Sequence, residues 1–296
     1  MPPAAAALFS EKEERKVIRK IFGMLLSALM MLPVCGQVET EAEEPALSLY
    51  AINVGKADAL LLRSGSTAYL IDTGTEDSYP ALEKTLKAEG ITHLDGVILT
   101  HTHKDHAGGL EYLLASDIEI DQVYASGYYN KKEKKHPAVV ALKGTGREVV
   151  YLLSGDSLPL DGGTLEVLGP LEADPEKENN NSLVLLATGG GGTMLLAGDM
   201  EFPEERSLMQ AGLITHADVL KVGNHGHPDA TGNDFLEAVS PRAAIFSTDS
   251  NVEPDTPAIR IVNWMKQHEV EIYQTQETEN GVLITLQNGE IAAESK

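Results

Sequence analysis

Apolar residues along the chain fall into short blocks with two different spacings. LSLYAIN (47–53), DALLLRSG (58–65) and TAYLIDTG (67–74) are β-rich runs separated by Gly-containing turns, which predicts an antiparallel meander. Residues 79–89 change to a helical spacing. DGVILT (95–100) then predicts a buried strand and residues 108–115 the start of a helix. The pattern continues with QVYAS (122–126), a helix over 137–143, EVVYL (148–152) and TLEVLGP (164–170). SLVLLAT (182–188) and TMLLAGD (193–199) flank Gly189-Gly190-Gly191-Gly192. No helix follows those glycines, so they read as a hairpin connection and not as a phosphate loop. The remainder predicts a helix over 203–211, strand ADVLKVG (217–223), a helix over 232–238 and strand AAIFST (243–248). A helix over 257–268 and the strands EIYQT and VLITLQ complete it. Strands followed by helices, twice over, predict an α+β chain in which two mixed β-sheets pack together with helices outside, an αββα sandwich.

Ahead of these blocks, Arg15, Lys16, Arg19 and Lys20 precede a fourteen-residue apolar run from Ile21 to Val34. That run is short for a membrane span, so residues 1–36 read as an export signal or N-terminal membrane anchor. Val34-Cys35-Gly36 fits a cleavage site before Gln37, whereas Leu32-Pro33-Val34-Cys35 looks like a bacterial lipobox with Val34 out of pattern. Cys35 is the only cysteine, which excludes disulfides within the chain and zinc–thiolate sites. The expectation is an extracytoplasmic bacterial protein, secreted or membrane-anchored, with lipidation of Cys35 as the alternative to simple cleavage. QVETEAEEPA (37–46) has the composition of an acidic linker, and residues 47–296 form the folded domain.

Charge narrows the partners. The whole chain carries −22, and beyond residue 45 there are 18 Lys and Arg against 38 Asp and Glu, a net charge of about −20. Such a surface repels polyanions at long range and is awkward for a nucleic-acid binder. The one basic run, Lys131-Lys132-Glu133-Lys134-Lys135-His136, reads as a solvated loop able to make a few phosphate contacts.

The candidate chemistry is concentrated in THTHKDHAGGL (100–110), where three of the nine histidines and one aspartate occupy six positions after an apolar strand. Imidazole and carboxylate ligands suit zinc, manganese or iron, and a turn at a strand end lets residues two apart point the same way. His101 and His103 can thus share one ion, while Asp105 and His106 face a second. Asp199 ends an apolar strand and His225 follows another, so both join the same rim if those strands run in the same sense. The alternative for Asp199 is a helix N-cap for residues 201 onward.

His101-Thr102-His103-Lys104-Asp105-His106 with Ala107-Gly108-Gly109 resembles the signature of the metallo-β-lactamase superfamily. Asn53-Val54-Gly55 with Asp58, Ile71-Asp72-Thr73-Gly74, the Asn179–Leu185 run, Gly198-Asp199 and Leu220–Gly226 narrow the likeness to the metal-binding domain of ComEC-type competence proteins, over about residues 47–286. The resemblance implies two divalent ions, Zn²⁺ or Mn²⁺. One is held by His101 and His103, the other by Asp105, His106 and His225, and Asp199 bridges them. It also implies that Asp72 orients the His-rich loop, with Asn181, Lys221 and His227 as supporting or substrate-facing residues.

Three departures from the family pattern stand out. Asn180 and Asn181 occupy a place where many members have a histidine, so Asn181 is expected to hydrogen-bond at the site and the first ion to have the poorer ligand set. Asn224-His225-Gly226-His227 keeps one histidine in the ligand place and adds another. The stretch Asn251–Pro257 lacks the family's histidine. The implied activity is hydrolysis by a metal-bound hydroxide, with Asp105 or Asp199 fixing or accepting its proton. Small or short phosphodiesters, extending to single-stranded DNA, are the implied substrates. The alternatives are hydrolysis of lactone, lactam or other ester-like bonds, and a metal-binding surface protein without turnover.

Overall fold

A computed structural model describes residues 44–130 and 136–296. The expected export signal, Cys35, most of the expected acidic linker and the lysines of 131–135 lie outside the described residues. In chain order the first half comprises β1 (Leu47–Ile52), β2 (Leu60–Ser64), β3 (Thr67–Ile71), α1 (Tyr79–Ala88), β4 (His93–Leu94) and β5 (Gly96–Leu99). It continues through α2 (Lys104–Ala107), α3 (Leu110–Leu114), β6 (Glu119–Ile120), β7 (Val123–Ser126), α4 (Pro137–Ala141) and β8 (Val149–Leu152). The second half comprises β9 (Ser157–Leu160), β10 (Gly163–Gly169), β11 (Val184–Gly189), β12 (Gly192–Leu196), α5 (Phe202–Gln210) and β13 (Val219–Lys221). It ends with α6 (Asn233–Val239), β14 (Ala243–Phe246), α7 (Ile259–Gln267), β15 (Glu271–Gln274), β16 (Gly281–Gln287) and β17 (Glu290–Ser295).

These strands form an eight-stranded sheet, β17-β16-β1-β2-β3-β5-β7-β8, and a seven-stranded sheet, β15-β14-β13-β12-β11-β10-β9. The inner faces meet in one apolar layer, where Leu49, Leu62, Ile71 and Ile284 of the first sheet join Leu165, Leu185, Leu196 and Ile245 of the second. On the outer face of the first sheet Leu61, Leu70 and Leu99 pack against Leu82, Leu86, Leu110 and Leu113 of α1 and α3. On the outer face of the second, Leu195, Leu220 and Ala244 pack against Leu208, Phe235 and Trp264 of α5, α6 and α7. Burying a Leu or Phe stabilises by about 1.5–3 kcal/mol relative to exposure, so three such layers account for the order of the elements. This is the four-layer αββα arrangement that the hydrophobic blocks predict.

The meander and the hairpin both form. Gly190 and Gly191 turn at φ +59° and +77°. A Cβ on Gly190 would lie 2.3 Å from the Leu286 carbonyl oxygen, so this corner needs glycine for space as well as for backbone angle.

Three features depart from the block reading. The helix expected from residue 108 begins at Lys104, inside the His-rich motif, and is interrupted before Leu110, because the helix-forming stretch is only four residues long and the Gly pair breaks it. Strands β9 and β17 carry no long apolar run, since each lies at a sheet edge and buries at most one side. The two-residue bridges β4 and β6 pair only with each other.

What matters for function is strand direction. β3, β5 and β7 run parallel, as do β12, β13 and β14. The segments following β3, β5, β12 and β13 therefore open on C-terminal strand ends, which carry Asp72, the His-rich loop, Asp199 and His225. Glu205 on α5 ties the helix after Asp199 to the loop after His225, accepting hydrogen bonds from the amides of Thr231 and, at 2.9 Å, Gly232.

Burial lifts the Glu205 carboxyl to about 7 in spite of those amides. A carboxyl raised in the fold favours its protonated form there. Its stabilisation is thus fully present below the unfolded value near 4.5 and is lost as pH rises through about 7. Relative to Glu205→Gln, the wild type should lose roughly 2–3 kcal/mol of unfolding free energy between pH 4.5 and 7.5. Urea titrations across that range check this, and parallel pH profiles for the two proteins would rule it out.

Candidate metal centre

His101 and His106 are fully buried, and both come from the segment that closes over the end of β5. Backbone hydrogen bonds lock that segment to its neighbours. The Thr73 amide donates to the His106 carbonyl at 2.6 Å, the Asp58 amide to the Asp105 carbonyl at 3.1 Å, and the Leu183 amide to the Thr100 carbonyl at 2.9 Å. Gly109 sits so close to the Asp72-Thr73-Gly74 turn that a Cβ there would lie 2.3 Å from the Thr73 carbonyl oxygen. Asp72, Asn224 and His225 hold φ of +60°, +46° and +54°. Left-handed backbone at three non-glycine residues costs on the order of 1 kcal/mol or more each and concentrates at functional sites.

Two ligand groups result. The nitrogen and oxygen atoms offered by Asp105, His106, Asp199 and His225 all lie within 4.8 Å of one another, as do those of His101, His103 and Asp199. Asp199 belongs to both. Its Oδ2 is 3.2 Å from His106 Nε2 and 3.8 Å from His101 Nε2, while its Oδ1 is 3.5 Å from His225 Nε2. Asp105 Oδ2 is 3.6 Å from His225 Nε2, and His101 Nε2 is 3.0 Å from His103 Nδ1. Tetrahedral bonds of 2.0–2.1 Å put ligand atoms roughly 3.3 Å apart, so these spacings suit a cation between them.

The second nitrogens are already committed. His106 Nδ1 lies 2.7 Å from Asp72 Oδ2, and His225 Nδ1 lies 2.8 Å from the Ser247 carbonyl oxygen. Asp72 in turn accepts from the Thr100 amide and hydroxyl at 2.8 and 2.7 Å. His106 Nε2, His225 Nε2 and Asp199 Oδ1 are buried and make no hydrogen bond. Such groups are costly unless something pairs with them, and these imidazole nitrogens and carboxylate oxygen are the donor types that divalent cations take. The residues therefore fit a pair of divalent ions.

Electrostatics agree. Burial acts to raise the Asp199 carboxyl, but His106 and His225 outweigh it and hold the group well below the usual carboxylate range. Burial works equally against protonated His106 and His225, yet Asp199 with Asp72 or Asp58 raises both, His225 to about 9. Protons on these imidazoles balance the carboxylates, and a metal ion must displace them to bind. His101 goes the other way, depressed by burial and by His106.

The structure places the remaining expected residues as follows. Asp199 caps no helix, since Glu201 occupies the N-cap position of α5. Asn181 does not hydrogen-bond at the site as expected. Fully buried, it accepts from the Asp174 amide at 2.8 Å and donates to the Asp174 carbonyl and to Glu178 Oε2, each at 3.0 Å. Glu178, whose Oε1 accepts from the Thr102 amide and hydroxyl, links it to the His-rich loop. Lys221 faces no substrate. It is fully buried, 2.8 Å from Asp58 Oδ2 and donating to the Val222 carbonyl at 3.0 Å. His227 is a third exposed at the rim, its Nδ1 bonded to Asp229 and its Nε2 3.8 Å from Glu253 Oε1.

Sequence reasoning assigned no role to Asp58, Lys56 or Glu253. Asp58 lies beneath the site, its Oδ1 3.7 Å from His225 Nδ1. Its place in the Asn53–Asp58 motif was the signal available; Lys56 and Glu253 carry none.

Compared with known proteins, residues 52–250 match the family model described as metallo-beta-lactamase superfamily. ComE operon protein 3 of Bacillus subtilis (strain 168) is 31% identical over 250 residues, covering 78% of this chain and 32% of that protein. Competence protein ComA of Neisseria gonorrhoeae is 26% identical over 258 residues, 86% of this chain and 35% of that protein. The chain thus spans about a third of the length of these relatives. The metallo-beta-lactamase fold protein YhfI from Bacillus subtilis superposes with a TM-score of 0.51 at 14% identity, covering 81% of this chain and 99% of that one, a likeness of fold.

Proposed function

Because the chain belongs to the metallo-β-lactamase superfamily, we propose that it is a metal-dependent hydrolase of small or short phosphodiesters, built on His101, His103, Asp105, His106, Asp199 and His225. The observation that carries this reading is the convergence of two ligand groups sharing Asp199, with unsatisfied buried nitrogens turned toward the shared carboxylate. Bound there, two divalent ions, Zn²⁺ or Mn²⁺, would supply Lewis-acid activation of a water and of the scissile bond.

The chain's own residues do the positioning. Asp72 accepts the His106 Nδ1 proton and the Ser247 carbonyl accepts that of His225, so each ring keeps its Nε2 toward the centre. As carboxylates, Asp105 and Asp199 would serve the ions and, through their remaining lone pairs, accept a hydrogen bond from a water between them. Substrate approaches past His103 and Asp105, the solvent-facing members.

Beside His103 opens a cleft of about 370 Å³ lined by Asn130, Glu176, Lys177, Glu178, Asn179 and Glu201. Among the described residues the lining sets three carboxylates against one lysine, which supports short substrates over long polymers. The resemblance to competence proteins supports a nucleic-acid-derived diester, extending to single-stranded DNA. The test is turnover of a chromogenic phosphodiester and a labelled oligonucleotide by the Zn²⁺- or Mn²⁺-loaded protein, with a chromogenic lactone and β-lactam alongside. We expect diester hydrolysis that a chelator abolishes. Turnover of lactone or lactam and of neither diester would overturn the assignment.

A further inference from the structure

Resting on the reading of an anionic substrate, we propose that Lys56 and His227 form an anion-binding edge of the metal centre, and that the Glu253 carboxylate sits where the substrate's phosphate binds. Lys56 Nζ is 3.1 Å from Asp105 Oδ2 and 3.4 Å from Glu253 Oε2. The other carboxylate oxygen of the same residue, Glu253 Oε1, lies 3.8 Å from His227 Nε2. One carboxylate thus lies between an ammonium at 3.4 Å and an imidazole at 3.8 Å, so a single anion placed there reaches both.

The three residues come from separate segments, after β1, after β13 and after β14. Nothing in their local sequence requires them to meet. Their side chains are 23%, 33% and 33% exposed, so a ligand can reach them. Lys221 is no rival, because it is sealed beneath the site and paired with Asp58.

A chain of net charge −22 repels a phosphate at long range, so capture depends on cations placed beside the reacting centre. Lys56 is one carboxylate away from it. When Asp105 serves a metal ion, Glu253 is the carboxylate in contact with the ammonium that no ion claims. A phosphate oxygen can then take the place of that carboxylate with little change in local charge. Exposed ion pairs contribute only about 0–1 kcal/mol, so displacing Glu253 is cheap.

The test is calorimetric titration of inorganic phosphate into the metal-loaded full chain, with bound metal measured in each variant. Lys56→Met should weaken phosphate binding roughly tenfold, the cost of losing a charge-assisted hydrogen bond, and His227→Gln should weaken it by less, since its Nε2 stands 3.8 Å from the carboxylate. Lys56→Arg should largely retain it. Glu253→Gln, which removes the competing carboxylate, should tighten it severalfold, and metal content should stay unchanged throughout. A merely structural ion pair would move Lys56→Met and Glu253→Gln in the same direction. That result, indifference to either change, metal loss from Lys56→Met, or no phosphate binding by the wild type would each overturn the subsite. Diester turnover is scored separately. Phosphate binding that depends on Lys56 without diester hydrolysis would refute the proposed activity and leave the subsite standing, and the converse result would do the opposite.

Discussion

Asp199→Ala is expected to take bound metal from about two ions per chain to below one and to lower diester hydrolysis by roughly a hundredfold or more, beyond what loss of a ligand's supporting partner costs. The reason is its shared position. Its two oxygens face His106 and His101 on one side and His225 on the other, so one substitution removes a ligand from both groups. It also removes from His106 and His225 the largest of the carboxylate contributions that offset their burial. His103→Ala should behave differently. It removes a ligand only from the three-residue group, whose His103 is solvent-exposed, and should spare the four-residue group, whose only partly exposed member is Asp105. About one ion per chain should remain. Elemental analysis after reconstitution and dialysis separates the two variants. Equal metal content in wild type and Asp199→Ala would mean that the carboxylate bridges nothing.

Lys221→Met is expected to cost about 3–5 kcal/mol of folding stability, the range for removing one partner of a buried ion pair. For a domain of this size that corresponds to a fall in Tm on the order of 10 °C. Lys221 and Asp58 are 0% and 1% exposed, and methionine fills much of the same volume, so the loss comes from charge and not from a cavity. Burial would raise the Asp58 carboxyl, but Lys221 and then His225 and His106 hold it below its ordinary value; without the lysine, an ionised carboxylate stays buried against imidazoles alone. Adding Asp58→Asn should recover much of the loss, because two neutral side chains need no mutual compensation. Thermal melts of the metal-free single and double variants make the comparison. A single variant as stable as the wild type, or a double variant no better than the single, would show that the pair is not what anchors the floor of the site.

Local sequence determined the parts of this protein that depend on spacing alone. The alternation of apolar blocks sets which faces of β1, β3, β11 and β12 are buried, and two sheets with helices outside follow because each face needs cover. His101, His103, Asp105 and His106 were legible as ligands because a strand-end turn brings residues two to five apart together whatever the rest of the chain does. Asp199 and His225 were legible only on the condition that their strands run in the same sense as each other, and the parallel pairing of β12 with β13 meets it.

Tertiary structure decided the remainder. Asp58 meets Lys221, and Lys56 meets Glu253, only because packing two sheets face to face brings loops from opposite halves of the chain together. Asn181 shows the reverse case. Its place in the motif suggested a contact at the site, but once Asp174 folded back within reach, the side chain's donor and acceptor were both taken by that loop and Glu178. A side chain's partners depend on which groups arrive within about 3 Å of it. For residues far apart in sequence, the packing of whole layers controls that distance and local pattern does not.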